Sequence, residues 1–310
     1  MFEKNCFSRP NCADQKIDIF LAAMYQESTV SHWNNIEIAS VKDKSRLISC
    51  VNVHPLKILN PQPHETTCHV VLSNYGGGMV AGDIIQLRIC AYDNSKLFIG
   101  SQANSRIFKS EDQRDCKQNV VGTVKDNAVV VLFPEPLVLH EKSSFRQTQR
   151  WDLSTNSLLV VADWFNSGRS DNNEYFLFRS LQNEIRITVQ GKLALVDRFA
   201  FNPATDVANA SANFSEFHSC LSLYIAGFPG DSKFEILKAH LQQIEEQSSL
   251  NYGNIPKGNV AIAFARANQN TLVVRALGKM RSDLDPLCNL LYRAISDTAV
   301  LGYNPFSRRL

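Results

Sequence analysis

The run Asn74-Tyr75-Gly76-Gly77-Gly78-Met79-Val80-Ala81-Gly82-Asp83, followed by Ile84-Ile85-Gln86-Leu87-Arg88-Ile89, decides how the chain is to be read. Strand-like runs flank it: Cys68-His69-Val70-Val71-Leu72 before, and Lys96-Leu97-Phe98-Ile99 after a polar break. Three consecutive glycines can take backbone angles closed to residues with a Cβ, so the chain can turn sharply or approach another backbone there. A phosphate-cradling loop of that composition would open a helix. Here it opens Ile-Ile-x-Leu-x-Ile, an alternating β pattern, and no Lys-Ser/Thr follows the glycines. Gly76, Gly77, Gly78 and Gly82 are therefore read as structural glycines of a β-fold.

Outward from this stretch, strand-like runs recur at short intervals: 129–133, 137–139, 145–153, 158–165, 175–179, 184–189 and 192–201. Turns rich in Asn, Asp, Gly and Ser separate them, and no strand–helix alternation appears, which predicts a mainly β architecture. Residues 36–49 read as entry strands, and Pro61-Gln62-Pro63 is a break. Helices come late. Asp231 and Ser232 cap one that runs to 247, with Phe234, Leu237, Leu241 and Ile244 along one face. Asp285-Pro286 opens a second, to 296. Residues 260–267 and 271–276 read as a strand pair between the helices. Residues 1–30 form an N-terminal extension with short helical character at 20–25, and 31–310 a single β-rich domain.

With 310 residues and 44% apolar content the chain can bury a sizeable core. A formal charge of +2 and a pI near 8.1 leave no electrostatic footprint for nucleic acid or an anionic membrane. No apolar run approaches the ~20 residues of a membrane span. The first residues (MFEKNCFSRPNCADQ) lack an apolar signal core, as expected of a cytoplasmic protein. The eight cysteines are scattered with no CxxC pair, which suits buried thiols better than a disulfide framework. Neither a GxSxG elbow nor HExxH spacing is present.

Strand parity singles out three aspartates. Asp83 falls in register with Met79, Ala81, Ile85, Leu87 and Ile89. Asp197 falls in register with Leu193, Leu195, Phe199 and Phe201, and Asp163 lies in a run apolar on both faces. Side chains of a strand alternate between faces, so each carboxylate is expected to point inward. A buried carboxylate needs an arginine, backbone donors, water or a metal. Arg88, Arg169 and Arg198 stand in the same segments, so buried salt bridges and a carboxylate-lined channel both remain open. His64-x3-Cys68-His69 is the other metal-ligating candidate, although Cys68 and His69 point to opposite sides of a strand.

The same stretch carries a resemblance. CHVVLSNYGGGMVAGD (68–83) and SQANSRIFKS (101–110) are similar to signature blocks of the UreD (UreH) family of urease accessory proteins. Three further blocks, 158–169, 192–199 and 272–278, follow in that family's order, so the likeness spans residues 47–280. The chain departs from it at Arg106-Ile107-Phe108 and at Gly168-Arg169-Ser170. The resemblance implies a β-helix-like stack of many short strands with a few helices, mostly C-terminal. It implies a non-enzymatic nickel-chaperone scaffold that binds apo-urease and UreF-like and UreG-like accessory proteins. It holds Ni²⁺ transiently, with no tightly bound cofactor, and the implied nickel path falls on Asp83, Asp163, Asp197 and Glu174. The alternative is a β-helical carbohydrate hydrolase or lyase with clustered aspartates as acid and base; carboxyl groups roughly 5–9.5 Å apart across one cleft would mark it.

Overall fold

Each turn of the chain lays down one strand in each of two facing sheets. A computed structural model describes residues 33–61, 66–208, 213–250 and 258–306, with the side chains of 247–250 excepted. The extension at 1–30, and with it the helical character expected at 20–25, lies outside the described residues.

β1 (Asn34–Val41) and β2 (Lys44–Val51) form a hairpin turned by Lys42 and Asp43, both at positive φ. β3 (Leu56–Leu59) then runs antiparallel to β4 (Cys68–Asn74). Three coils follow, each passing from the second sheet through a short third face to the first sheet. They are β4, β5 (Gly78–Met79) and β6 (Ile84–Ala91); β7 (Lys96–Ser101), β8 (Ser105–Ile107) and β9 (Cys116–Val124); and β10 (Val129–Leu132), β11 (Leu137–Leu139) and β12 (Ser144–Leu153). β13 (Leu158–Asn166) and β14 (Ser180–Val189) make a fourth coil without the short strand. β15 (Lys192–Phe201) folds back antiparallel on β14, and β16 (Ser219–Ala226) runs antiparallel to β13. The hairpin of β17 (Val260–Asn268) and β18 (Thr271–Gly278) extends the second sheet beyond β16.

The first sheet has the order β15-β14-β12-β9-β6-β1-β2, and the main path of the second is β17-β18-β16-β13-β10-β7-β4-β3. Parallel partners along the second sheet lie 29, 33 and 29 residues apart (Cys68↔Leu97, Lys96↔Val129, Val129↔Leu158), so the coils stack as a solenoid. The expected β-helix-like stack, with its helices late in the chain, is what these residues form. Register shifts mark the outer pairs of the first sheet, between Glu37 and Ile38 and between Ile187 and Thr188, and the outermost pair of the second, between Arg266 and Asn268.

Two apolar layers follow from the alternation. Inward residues such as Ile85, Leu87, Ile89, Leu97, Val130 and Leu159 fill the space between the sheets. The outer face of the second sheet is covered by the helices Ser232–Leu250 and Asp285–Ile295. There Phe234, Leu237, Leu241 and Ile244 meet Val129, Val131, Val160 and Ile225. β10 and the first half of β13 are thus buried on both sides, which explains their unbroken Val-Val-Val-Leu and Leu-Leu-Val-Val runs.

Geometry demands glycine in the opening stretch and again at Gly122. In the opening stretch, Gly76 and Gly77 take φ of 70° and 75° in a single 3₁₀ turn, and a Cβ on Gly78 would stand 2.2 Å from the Arg106 carbonyl oxygen. The turn therefore presses β5 against β8. Gly122 of β9 faces Trp151 on β12, and a Cβ there would lie 2.0 Å from the indole ring. Trp151 is the largest fully buried side chain among the described residues, and the missing Cβ makes its berth.

The run 175–179 does not form the strand its aromatics predict. Phe176 takes φ of 52°, and its ring packs among Phe178, Phe201 and Phe214, so these aromatics serve packing and not pairing. Leu193 is not in register with Asp197: the bulge between Ile187 and Thr188 turns it outward, 57% exposed.

Candidate functional site: a polar crossing between two interior cavities

Midway along the solenoid the apolar interior is interrupted by polar rungs on both sheets. On the first sheet the inward residues Gln118, Gln147 and Asn183 are in-register neighbours across β9, β12 and β14. On the second, Asp163, Ser222 and Arg275 are neighbours across β13, β16 and β18. Gln147 joins the two rungs: its Nε2 lies 3.3 Å from Asp163 Oδ1 and 3.3 Å from Asn183 Oδ1. Asp197 of β15, whose neighbours in register include Ile185, enters the same space. It accepts a hydrogen bond of 2.8 Å from the Tyr224 hydroxyl and is ion-paired with Arg275.

These groups stand between two partly open cavities lined by strands of both sheets. One, of about 330 Å³, reaches from Gly77 and Leu87 past Gln118 to Glu135 and Trp164. The other, of about 450 Å³, is walled by Phe199, Phe214 and Tyr224 and carries Asn183, Asp197 and Asp206. Leu137, Gln147 and Asp163 line both. Asp163 is surrounded by protein yet keeps some accessible surface, because it faces cavity space.

The electrostatics follow from this placement. Burial pushes the Asp163 carboxyl up to about 7; the charge of Asp197 adds to the rise, and the hydrogen bond from Gln147 opposes it. Burial also pushes the Cys220 thiol, which lines the second cavity, up to about 12, with Asp163 contributing. The Tyr224 hydroxyl is raised by burial and by the two carboxylates, so it stays a donor to Asp197. Apart from Arg275 and Cys220, the polar groups here offer carboxylate, amide or hydroxyl oxygen. Scattered oxygen ligands hold a borderline cation loosely, as stepwise transit requires.

Of the four acidic residues expected to line a path, Asp163 and Asp197 meet at the second cavity, whereas Asp83 and Glu174 border neither. The parity that placed Asp83 inward assumed one strand from Met79 to Ile89. The chain instead leaves β5 after Met79 and turns, and the Asp83 carboxylate accepts the Val80 N–H at 2.8 Å. Glu174 is buried but committed elsewhere, 2.5 Å from the Arg169 guanidinium and accepting the Glu141 N–H. Arg198 meets Glu184 at 2.8 Å, and Arg88 lies over the Trp33 ring, so neither reaches the aspartates. The basic partner of Asp197 is Arg275, 78 residues distant.

The second metal-ligating candidate is not assembled among the described residues. Cys68 points into the inner core, with burial pushing its thiol up to about 11, while His69 packs edge-on against Phe98 of the outer layer. His64 lies outside the described residues, and no cluster of three or more His, Cys, Asp or Glu able to hold a metal ion occurs among them.

Sequence reasoning missed the amides, Glu135 and Asp206. The signal was present: in β12 the inward positions read Phe145, Gln147, Gln149, Trp151 and Leu153, and in β14 Leu181, Asn183, Ile185, Ile187 and Val189. An amide at an inward position is as anomalous as a carboxylate. Glu135, half-buried between two prolines and 3.2 Å from Arg281, had no such signal because it follows the end of β10.

A family model described as UreD urease accessory protein matches residues 34–310. A urease accessory protein UreD of Cytophaga hutchinsonii is 35% identical over 277 residues, covering 88% of this chain and 96% of its own length. A urease accessory protein UreD of Anaeromyxobacter sp. is 26% identical over 168 residues, 54% of this chain and 56% of its own. A urease accessory protein D of Oryza sativa subsp. indica is 26% identical over 166 residues, 52% of this chain and 54% of its own.

Proposed function

The chain belongs to the UreD urease accessory protein family, and we propose that it serves urease maturation as a non-enzymatic cytoplasmic scaffold whose interior carries nickel. In this reading it binds apo-urease and UreF-like and UreG-like accessory proteins. GTP hydrolysis belongs to the UreG-like partner. Nickel is cargo, passed as a partly hydrated cation from oxygen to oxygen through the two cavities. No helix among the described residues is long and apolar enough to cross a membrane.

One observation carries the reading: a carboxyl group sits where two cavities abut, held by an amide and not by an arginine. A structural buried carboxylate is normally tied to a cation, as Glu174 is to Arg169. Asp163 is not, and its raised pKa leaves it half protonated near neutral pH. An arriving dication replaces that proton, as metal binding to a protonated ligand does. Asp197 is the next oxygen along the second cavity, and Arg275 shares it.

The test replaces Asp163 and Asp197 with Ala, singly and together, and follows assembly and the nickel content of urease side by side. The expected result is an intact complex with nickel loading reduced at least tenfold in the double variant and partly restored by excess nickel. Wild-type loading by an intact double-variant complex would remove the interior route.

A further inference from the structure

The outward face of the first sheet is the one broad sheet face that the described residues leave uncovered. Parallel sheets are normally covered on both sides, and the core of this one, β1, β6, β9, β12 and β14, is parallel. Its inner side meets the solenoid core, while among the described residues no helix packs on its outer side as the two helices do on the second sheet.

Charge on that face is unevenly placed. One rung reads Ile84, Lys117, Arg146, Gln182 and Ala200 across five strands, and another reads Arg88, Val121, Arg150, Arg186 and Val196. From β6 to β15 the outward positions carry six basic residues, those five with Arg198, against the acids Asp152 and Glu184. The excess of four positive charges exceeds the +2 of the whole chain. Arg150 and Arg186 stand directly opposite each other on neighbouring strands, a like-charge pairing that weakens a sheet. Glu184 relieves Arg186 at 3.6 Å and Arg198 at 2.8 Å. Lys117, Arg146 and Arg150 are exposed with no carboxylate within 4.0 Å among the described residues.

We infer that this face docks a folded protein partner through a flat acidic surface, which supplies the carboxylates these side chains lack. The size fits: seven strands at ~4.8 Å and about eight residues at ~3.3 Å give roughly 29 by 26 Å, near the ~800 Å² that each side of a stable interface contributes. Ile84 and Val196, exposed by 52% and 36%, stand among the cations and give apolar contact. A phosphate backbone fits less well. Glu184 and Asp152 would repel it, and the ring that stands at the second rung, Trp33, is already covered by the Arg88 guanidinium at 5.3 Å.

The experiment rests on the proposed urease-maturation role for its choice of partners. The full chain, the double reversal R146E/R150E, the conservative R146K/R150K and the distant control K57E are each tested against apo-urease and against the UreF-like and UreG-like pair. Association rates are measured from low to moderate salt. The expected result is an on-rate at least tenfold lower for R146E/R150E with one of the partners, a flattened salt dependence, and wild-type rates for the other two variants. Unchanged association of R146E/R150E with both partners overturns the inference and leaves the nickel reading standing. Loss of single-stranded RNA binding, with protein association untouched, also overturns it. A wild-type chain that binds neither partner overturns both readings.

Discussion

β13 offers two faces of one strand for comparison. Outward, Leu158, Val160, Ala162 and Trp164 meet the helices in a layer of apolar contacts. Inward, Leu159, Val161 and Phe165 belong to the inner core, but the position between the last two is Asp163. The same backbone, twist and neighbours thus support an apolar layer on one side and a polar crossing on the other. Stability asks nothing of Asp163 that a leucine would not give: a buried polar group contributes little beyond satisfying itself. The outer layer holds the solenoid and its helices together, and the inner layer tolerates cavities because the outer one has already fixed the strands.

The sharpest way to break this contrast is to open the outer layer. Phe234→Ala removes a fully buried ring between helix and sheet and is expected to destabilise by about 4 kcal/mol, read as a lower urea midpoint at unchanged slope. A loss under about 1 kcal/mol would mean that the helices are ornaments on the solenoid.

Overpacking the apolar end of the inner layer comes next. Gly122→Val places a side chain inside the Trp151 berth and is expected to cost about 2–3 kcal/mol, with the indole fluorescence shifted toward that of a solvated ring. An unchanged spectrum and midpoint would show that the inner core is loose throughout and not only at its polar crossing.

The last test concerns a single proton, whose effect is read as a slope against pH. Asp163 moves from 3.8 in the unfolded chain to about 7 when folded, so the folded state keeps a proton that the unfolded chain releases. The stability of the neutral form is fully present below about 3.8, declines as pH rises toward 7 and levels off above it, with a slope of at most ~1.4 kcal/mol per pH unit. Asp163→Asn should remove that part of the slope in urea midpoints taken from pH 4 to 8. An identical slope in the variant would mean that Asp163 ionises freely, and would detach it from the polar crossing.

How much of this was legible in the sequence depends on whether a strand stays regular. The run 158–165 is one regular strand apolar on both faces, so the burial of Asp163 could be read directly, but not which of the two layers it enters. At Asp83 a turn intervenes between β5 and β6, and at Leu193 a bulge does; either resets parity, and neither leaves a trace in composition. The helices were legible because a capping residue, Asp231, stands directly before an apolar stripe, and because Pro286 follows Asp285. The coil stacking was not, since partners 28 to 36 residues apart share a pattern of burial and not of residues. Arg275 as the partner of Asp197 lay beyond reach for the same reason: it comes from a strand that joins the second sheet only after a helix.

The irregular margins of the two sheets have a consequence for how the molecule behaves in a crowd. A stack of parallel strands is a template for its own continuation, because each open edge offers unpaired amides to the next chain, as in cross-β fibres. Here the edge strands β2, β15 and β17 each sit in a pair whose register slips, and the remaining edge, β3, is only four residues long. Bulges twist an edge away from a flat newcomer and short strands hold it too weakly to nucleate growth. The solenoid therefore carries its own stop signals, and a variant that straightened those margins would be expected to lengthen end to end into filaments.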